Sequence, residues 1–289
     1  MDIKDYLITK LRGVIGIIDV LTDIDRVLHA QKRDLTQQFL NQIYSGGWIK
    51  CRLNEVDVLA PIEPLKMYQH CLVLGKEEKF YFLIETHCVN WLCSKIDYGD
   101  VVLDIGAAYG VITLPLAKAV GRKGRIYAFE PAKKTQKLLQ EMLVLNNIEN
   151  ITVVQAAISD RPGEAEFIEY TSDQDVSWAS DFSTLNAPDV NRSREHISYL
   201  VPVTTIDDYV EANNLQPKAI KIDIEGFELY ALYGAKSTLE KYSPYLCIDI
   251  HADVKTGKSA LLEVEPFLKS LGYLMEMTEH TLLCKPKNS

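Results

Sequence analysis

The stretch from Asp104 to Gly110 combines an acid with two glycines in a short space, Asp-Ile-Gly-Ala-Ala-Tyr-Gly. Glycine permits a tight turn with positive φ and lets the backbone approach a ligand closely. The glycines are spaced Gly-x-x-x-Gly, whereas dinucleotide-binding turns have Gly-x-Gly-x-x-Gly. Because an acid precedes the turn, the pattern favours a cationic nucleotide-like ligand, such as one with a sulfonium and an α-amino group. An ordinary strand-to-helix turn is the alternative.

A second acid, Glu130, follows the apolar segment Arg125 to Phe129 and precedes Pro131. It lies about 20 residues after the glycine turn, the distance at which an acid of a nucleotide-binding unit accepts hydrogen bonds from ribose hydroxyls. The other interpretation is an acid at the start of a helix, where it interacts favourably with the helix dipole. The glycine turn upstream favours ribose binding.

Three charged residues, Lys221, Asp223 and Glu225, occupy alternate positions in an otherwise apolar segment. This alternation puts them on one face of a strand, predicted from Ala219 to Glu225. Buried charges without partners are costly, so these side chains must pair with one another or face a site. Open α/β sheets bind their ligands at the carboxyl ends of the strands. We therefore predict Asp223 and Glu225 as site residues and Lys221 as their charge partner.

Three segments, in this order along the chain, resemble the FkbM-family methyltransferases: Tyr98 to Gly110, Ile126 to Pro131, and Ile220 to Glu228. The resemblance covers about Asp100 to His251. It implies a doubly wound α/β sheet that uses S-adenosylmethionine as its methyl donor.

The resemblance also implies a cofactor site built from the glycine turn, the acids and the end of the third strand, which borders the adenine ring. The predicted cofactor-binding residues are Asp104, Gly106, Ala107, Tyr109, Gly110, Glu130, Ala157 and Asp223. One difference from the family is Ala108, where asparagine is common. This difference removes a polar group near the methionine end of the cofactor.

His251 ends a predicted strand that starts at Pro244, and Asp249 shares its face. A hydroxyl that accepts a methyl group must lose its proton as it attacks, and a histidine with a pKa near neutrality suits the role of general base. We predict His251, Asp223 and Glu225 as catalytic residues; a structural histidine is the alternative. Together with Asp249 they could also hold a divalent metal, but nothing in the spacing requires one, and none is predicted.

These residues are positioned by a predicted α/β fold, a Rossmann-like class I methyltransferase sheet that is mostly parallel and has an antiparallel terminal strand. Apolar runs and alternation predict strands at Trp48 to Leu53, Val56 to Ala60, Val101 to Ile105, Arg125 to Phe129, Ile151 to Ile158, Ala165 to Tyr170, Ala219 to Glu225, Pro244 to His251, Gly272 to Met277 and Thr281 to Lys285. Helical spacing predicts helices at Phe80 to Ile96, Val111 to Val120, Lys133 to Asn146, Phe227 to Gly234 and Leu262 to Leu271, and one capped by Thr204 or Thr205.

The chain is predicted to have three parts: an amphipathic helical segment (residues 1–46), a small β/α extension (47–99) and an S-adenosylmethionine-binding domain (100–289). The first part has apolar residues at helical spacing from Leu7 to Leu28, which fits packing on the same chain or a homodimer contact. The extension covers the cofactor, shapes the acceptor pocket or packs the core. The irregular segment 171–203 is interpreted as a lid, with a solvated loop as the alternative.

The 289 residues carry a net charge of −9 and no long basic run, which disfavours nucleic-acid binding through phosphate neutralisation. The six cysteines include no Cys-x-x-Cys pair, so reduced thiols are favoured over disulfides or zinc ligands. No apolar run is long enough to cross a membrane. We therefore expect a soluble cytoplasmic protein whose partner is a small hydroxylated molecule.

The resulting prediction is an S-adenosylmethionine-dependent methyltransferase that methylates a hydroxyl oxygen of a sugar or other small natural product. Two alternatives remain open. One is a non-catalytic ligand- or partner-binding protein on the same fold. The other is an NAD-dependent oxidoreductase, which the glycine spacing and the terminal hairpin disfavour.

Overall fold

A computed structural model describes residues 47–65, 68, 71–73, 80–170, 184–185 and 196–287. Within these ranges the chain forms three β-sheets, of four, four and seven strands, with helices packed against them. The predictions for the helical segment 1–46 and for most of the segment 171–203 lie outside the described residues.

The strands of the described part of the chain are, in order, β1 Trp48–Leu53, β2 Val56–Pro61, β3 Leu72–Val73, β4 Phe80–Phe82, β5 Val101–Ile105, β6 Arg125–Phe129, β7 Ile151–Val154, β8 Ala157–Ile158, β9 Gly163–Tyr170, β10 Thr184–Leu185, β11 His196–Thr204, β12 Pro217–Ile222, β13 Tyr245–Asp249, β14 Tyr273–Thr278 and β15 Thr281–Pro286. The helices are α1 Ile62–Leu65, α2 Thr86–Cys93, α3 Thr113–Val120, α4 Lys133–Leu145, α5 Ile206–Ala212, α6 Glu228–Tyr233, α7 Lys236–Tyr242 and α8 Leu261–Ser270. None of these helices has both the length and the apolar character needed to cross a membrane.

The seven-stranded sheet has the order β14-β15-β13-β12-β5-β6-β7. The five strands β13, β12, β5, β6 and β7 run parallel to one another. β15 pairs antiparallel with β13, and β14 pairs antiparallel with β15. The predicted sheet, mostly parallel with an antiparallel terminal strand, is therefore confirmed. From β5 the chain goes to β6 and β7 on one side and later returns to β12 and β13 on the other. Such a reversal of strand order opens a crevice at the carboxyl ends of β5 and β12.

The sheet separates two apolar clusters because alternate residues of each strand point to opposite faces. Val102 belongs to the first cluster and Leu103 to the second. The first cluster also contains α3, α4 and much of the extension, including Leu53 and Phe82; the second contains α5 to α8. The extension thus packs on one face of the large sheet, beside the strand that leads into the glycine turn.

The predicted third strand, from Ile151 to Ile158, is divided in the structure. β7 stays in the large sheet, whereas β8 pairs with β11 in a second sheet that also contains β9 and β10. The predicted strand from Ala165 to Tyr170 is confirmed by β9, whereas the prediction of an irregular segment from 171 to 203 was wrong at its end, where residues 196–203 of β11 pair antiparallel with residues 163–170 of β9. This pairing joins segments far apart in the sequence, and no local pattern specifies it.

The predicted helix from Phe80 to Ile96 was wrong in its first part. Phe80 and Phe82 are buried on alternate positions of β4, which pairs with β1, and α2 begins only at Thr86. Glu85 between them has a left-handed backbone, with φ of 46°. The period-two alternation of Phe80 and Phe82 thus overrides the helical spacing, and it places Glu85 at the edge of the central crevice.

Candidate active site

A cavity of about 570 Å³ opens at the carboxyl ends of β5, β12 and β13. Each of these strands supplies part of its wall: the glycine turn after β5, Asp223 and Glu225 after β12, and Asp249 and His251 at the end of β13. The extension adds residues 84–87, and the turn between β14 and β15 adds residues 279–280. The crevice expected from the strand order is therefore a real cavity, and charged side chains from several segments face it.

Gly106 lets the turn after β5 pass directly over the neighbouring strand. Its φ is +81°, and a Cβ atom at this position would lie 1.9 Å from the carbonyl oxygen of Asp223. The N–H groups of Gly106 and Ala107 both donate to the carbonyl oxygen of Phe129, each at 3.0 Å. The turn is therefore fixed between β6 and β12, and only glycine fits its first position.

Gly106→Ala should destabilise the protein more than the same change at Gly272. Gly272 has nearly the same φ, +79°, but nothing lies within 4 Å of its added Cβ. Both variants carry the cost of left-handed backbone, about 1–2 kcal/mol, and only Gly106→Ala adds overpacking, about 1–3 kcal/mol. Urea unfolding of both variants measures the difference. Equal losses of unfolding free energy would show that the contact with Asp223 relaxes without cost.

Ala108 and Gly110 complete the turn in different ways. Ala108 has φ of 45°, a region in which asparagine is enriched several-fold among non-glycine residues. The asparagine that is common at this position in the family would therefore fit the left-handed backbone, in addition to any contact that it makes with a ligand. Gly110 has φ of +78°, and an added Cβ would lie 2.7 Å from the side chain of Leu139. Glycine at this position therefore allows α4 to pack closely against the turn.

Glu130 lies behind the turn rather than on the cavity wall. Its carboxylate accepts hydrogen bonds from the N–H groups of Ala108 at 2.9 Å and Ala132 at 2.8 Å, and the residue is only 7% exposed. Burial raises the pKa of Glu130 to about 7, although both hydrogen bonds lower it. Each carboxylate oxygen can still accept one more hydrogen bond, so the predicted contact with ribose hydroxyls stays a prediction.

Lys221 links the turn to two carboxylates. Its ammonium donates to the carbonyl oxygen of Gly106 at 3.0 Å and to Asp223 at 3.2 Å, and lies 3.8 Å from Asp104. Asp104 is fully buried and accepts a 2.5 Å hydrogen bond from the Thr113 hydroxyl. Burial lowers the pKa of Lys221, but the facing carboxylates outweigh it and raise the pKa well above its ordinary value.

Of the eight predicted cofactor-binding residues, three line the cavity, and five are not among its lining residues: Asp104, Tyr109, Gly110, Glu130 and Ala157. Gly106, Ala107 and Asp223 line the cavity. Asp104 supports the turn from below through Lys221, and Ala157 is buried in a small apolar cluster with Phe167. The cofactor contacts of all eight residues stay predictions.

His251 lies two residues beyond the end of β13, with its two ring nitrogens in different surroundings. Nδ1 lies 2.9 Å from a carboxylate oxygen of Glu228, and Nε2 lies 3.6 Å from Glu225 and 3.9 Å from Asp223. Burial lowers the pKa of His251, but the hydrogen bond with Glu228 and the nearby carboxylates outweigh it and raise the pKa to about 9. The imidazole therefore carries a proton at neutral pH in the free protein.

Glu228 and Glu85 are site residues to which the sequence analysis assigned no role. Glu228 is fully buried and accepts hydrogen bonds from the N–H of Gly226 at 3.0 Å and of Ile224 at 3.3 Å. An acid in the first turn of the predicted helix from Phe227, directly after the charged strand, is the signal that could have marked it. Glu85 belongs to a segment predicted as helix, where no signal pointed to a site.

The Glu85 carboxylate approaches those of Asp223 and Asp249, with oxygen atoms within 4.8 Å of one another. Burial raises the pKa of Glu85 to about 7; Lys221 lowers it, and the neighbouring acids raise it further. Asp249 accepts a 2.5 Å hydrogen bond from the Thr281 hydroxyl and lies 3.2 Å from Nε2 of His280. The end of the cavity formed by the extension is therefore acidic.

A second group, Asp223, Glu225 and His251, also has candidate ligand atoms within 4.8 Å of one another. Such separations would allow a single cation to contact either group. The positive charges that already face these carboxylates are the Lys221 ammonium and the protonated imidazole of His251. Like the sequence, the geometry does not call for a metal, and we assign none.

Comparison with known proteins agrees with the predicted family. A family model described as "Methyltransferase FkbM domain" matches residues 104–275. The chain is 26% identical over 175 residues to the hexuronic acid methyltransferase AglP of Haloferax volcanii, an alignment that covers 59% of this chain and 64% of that protein. It therefore spans less than two thirds of the length of this curated relative.

Two solved structures show likeness of fold. The methyltransferase FkbM from Methylobacillus flagellatus KT is 22% identical with a TM-score of 0.47, covering 66% of this chain and 44% of that one. Aeropyrum pernix fibrillarin, solved with natively bound S-adenosyl-L-methionine, is 14% identical with a TM-score of 0.43, covering 69% of this chain and 74% of that one.

Proposed function

The chain belongs to the FkbM methyltransferase family, and from this membership we propose that it transfers a methyl group from S-adenosylmethionine to a hydroxyl oxygen of a sugar or other small natural product. The observation that carries the proposal is the single cavity in which the glycine turn and the imidazole of His251 face each other. A cofactor on the turn and an acceptor beside the imidazole would meet there.

The walls of the cavity suit the charge of the cofactor. S-adenosylmethionine, when bound, supplies a methyl group on a sulfonium, and it also carries an α-ammonium group. The carboxylate of Asp223 lies next to the turn and the backbone of Gly106 and Ala107 is open to the cavity, so cationic groups of the ligand would be attracted here. Glu130, on the other side of the turn, would accept hydrogen bonds from the ribose hydroxyls.

The remaining walls suit a hydroxylated acceptor. In the described residues the cavity is lined by five acidic residues, Glu85, Asp223, Glu225, Asp249 and Glu279, and each carboxylate can accept a hydrogen bond from a hydroxyl group. The relative from Haloferax volcanii acts on a hexuronic acid. We propose a sugar-like acceptor here also, and the acidic walls favour a neutral polyol over one that carries a carboxylate.

His251 would take the proton of the acceptor. When bound, S-adenosylmethionine would supply the methyl group and keep the electron pair of its C–S bond on sulfur. Nε2 of the neutral imidazole would accept the proton that the acceptor oxygen loses as it bonds to the methyl carbon. Asp223 and Glu225, within 4 Å of Nε2, would stabilise the imidazolium that forms. The rest of the protein's contribution is to hold the two reactants in line and to exclude water.

Calorimetric titration of the protein with S-adenosylmethionine, S-adenosylhomocysteine and NAD tests the cofactor. We expect the two adenosyl ligands to bind and NAD not to bind. Glu130→Ala should weaken adenosyl-ligand binding about 10- to 100-fold, because charge-assisted hydrogen bonds to the ribose are lost.

Glu141→Ala is the matched control. The carboxylate of Glu141 is exposed on α4, and its ion pair with Lys137, at 3.9 Å, lies at the surface. This variant should bind as the wild type does. Binding of neither adenosyl ligand to the folded wild type would overturn the methyltransferase proposal and favour a binding protein on the same fold. Binding of NAD would instead favour an oxidoreductase.

Two further expectations stay predictions. The homodimer contact through the N-terminal segment rests on residues 1–46, outside the described residues, and cytoplasmic location rests on the sequence alone. The three-part division of the chain is also a proposal, although the extension and the large sheet share one apolar cluster.

A further inference from the structure

Glu228 is a carboxylate in a place where a charge is costly. It is fully buried at the start of α6, beneath the cavity. One of its oxygens, Oε1, accepts from two backbone N–H groups and lies 2.9 Å from Nδ1 of His251, while Oε2 has no hydrogen-bond partner among the described residues. A buried carboxylate is stable only when its partners compensate the loss of water. Among the described residues, the imidazole of His251 is the side chain that pairs with this carboxylate.

The contact with Glu228 determines how His251 faces the cavity. A carboxylate accepts hydrogen bonds and cannot donate them when ionised, so Nδ1 must carry the hydrogen between them. When the ring is neutral, its lone pair is then on Nε2, the nitrogen that lies toward Asp223 and Glu225 on the cavity wall. A base whose other nitrogen is held by a third group is the arrangement by which enzymes orient a catalytic imidazole.

We propose that Glu228 is a positioning residue that holds His251 through Nδ1, so that Nε2 is presented to the acceptor hydroxyl and the imidazolium formed during transfer is stabilised. This inference rests on the proposed role of His251 as general base. Glu228 itself does not touch the acceptor. It adds a charge-assisted hydrogen bond that becomes stronger when the ring gains the proton.

Other charged groups act on the same imidazole. The loop after β12 contributes Asp223 and Glu225. Lys221, near the end of β12, pairs with Asp223 at 3.2 Å. More distant titratable side chains on the cavity wall are Glu85, His87, Asp249, Glu279 and His280. Glu228 differs from all of these because it alone contacts Nδ1 and is shielded from solvent.

Glu228→Gln separates positioning from a merely structural role. Glutamine keeps the size of the side chain and an oxygen that accepts from the N–H of Gly226, but it has no charge. We expect the pKa of His251, read from its imidazole NMR shifts, to fall from about 9 by about 1–3 units. The acidic limb of the kcat/KM profile should move by the same amount, and kcat should fall about 100-fold. The affinity for S-adenosylhomocysteine should stay within about twofold.

Glu240→Gln, on the exposed face of α7 beside Lys236, is the matched control and should leave the His251 titration and kcat unchanged. An unaltered His251 pKa in a folded Glu228→Gln protein would overturn the inference. That titration does not depend on methyl transfer, so it separates failure of this inference from failure of the proposed function.

The wild type provides a measurement that needs no variant. Above the pKa of His251, nitrogen-15 shifts of the imidazole report which nitrogen keeps the hydrogen. We expect it on Nδ1. A neutral ring with its hydrogen on Nε2 would contradict the proposed role of Glu228, whether or not the glutamine variant folds.

Discussion

His251→Asn should lower kcat for methyl transfer about 100- to 10,000-fold, the usual contribution of a general base. Asparagine places an N–H donor near the position of Nδ1, so the carboxylate of Glu228 keeps a partner, while the group at Nε2 is removed. Affinity for S-adenosylmethionine, measured by calorimetry, should change little. His196→Asn, on β11 and away from the cavity wall, is the matched control. Full activity in His251→Asn would exclude His251 as the base.

The pH profile of the wild type tests the same role. A histidine whose pKa is raised to about 9 must lose its proton before it can act as a base. We therefore expect kcat/KM, which reports groups of the free enzyme, to rise with pH, reach half its maximum near pH 9 and level off above it, and this limb to vanish in His251→Asn. The effect on stability has the opposite sign. Protonated His251 stabilises the folded state fully below its unfolded pKa of about 6.5, and this contribution is lost as pH rises toward 9.

Lys221→Met should lower the unfolding free energy by about 3–5 kcal/mol, the usual cost of breaking a buried ion pair by removing one partner. The change leaves the buried carboxylate of Asp104 without its positive charge. Lys218→Met is the matched control, because Lys218 is exposed on the same strand, and should change stability by less than about 0.5 kcal/mol. Chemical denaturation of both proteins measures the difference.

Two further measurements identify the cause. Burial already raises the pKa of Asp104 in the wild type, and loss of Lys221 would raise it further. A group with a raised folded-state pKa stabilises below its unfolded pKa and loses this effect as pH rises, so the cost of Lys221→Met should be smaller near pH 5 than near pH 8. Asp104→Asn should recover part of the stability when combined with Lys221→Met. A pH-independent cost with no recovery would mean that lost packing, not charge, explains the effect.

The turn after β5 and the charged face of β12 were largely predictable from sequence. The apolar run of β5, the spacing of Gly106 and Gly110, and the alternation that gives Lys221 and Asp223 one face are local patterns, and the fold uses each as expected. The terminal hairpin was likewise predicted, because alternating apolar residues on both sides of a short turn specify it.

The rest of the site depends on contacts that no local pattern encodes. Glu85 meets Asp249 across more than 160 positions of sequence, and it does so because Phe80 and Phe82 form a strand where helical spacing also fitted. Glu225 was predicted on β12, but the strand ends at Ile222. Glu225 lies in the following turn with a left-handed backbone, φ of 53°, and its carboxylate is 3.6 Å from Nε2 of His251. Where a strand ends and which loops meet there are decided by tertiary packing.

The origin of the cavity walls bears on acceptor preference. Glu85 and His87 belong to the extension, outside the residues 104–275 that match the family model, whereas the glycine turn, Asp223 and His251 lie inside them. We therefore expect substitutions in the extension to change the proposed acceptor side while leaving the proposed methyl-donor side as it is. Exchange of this segment with that of a relative should then change acceptor preference without changing affinity for S-adenosylmethionine.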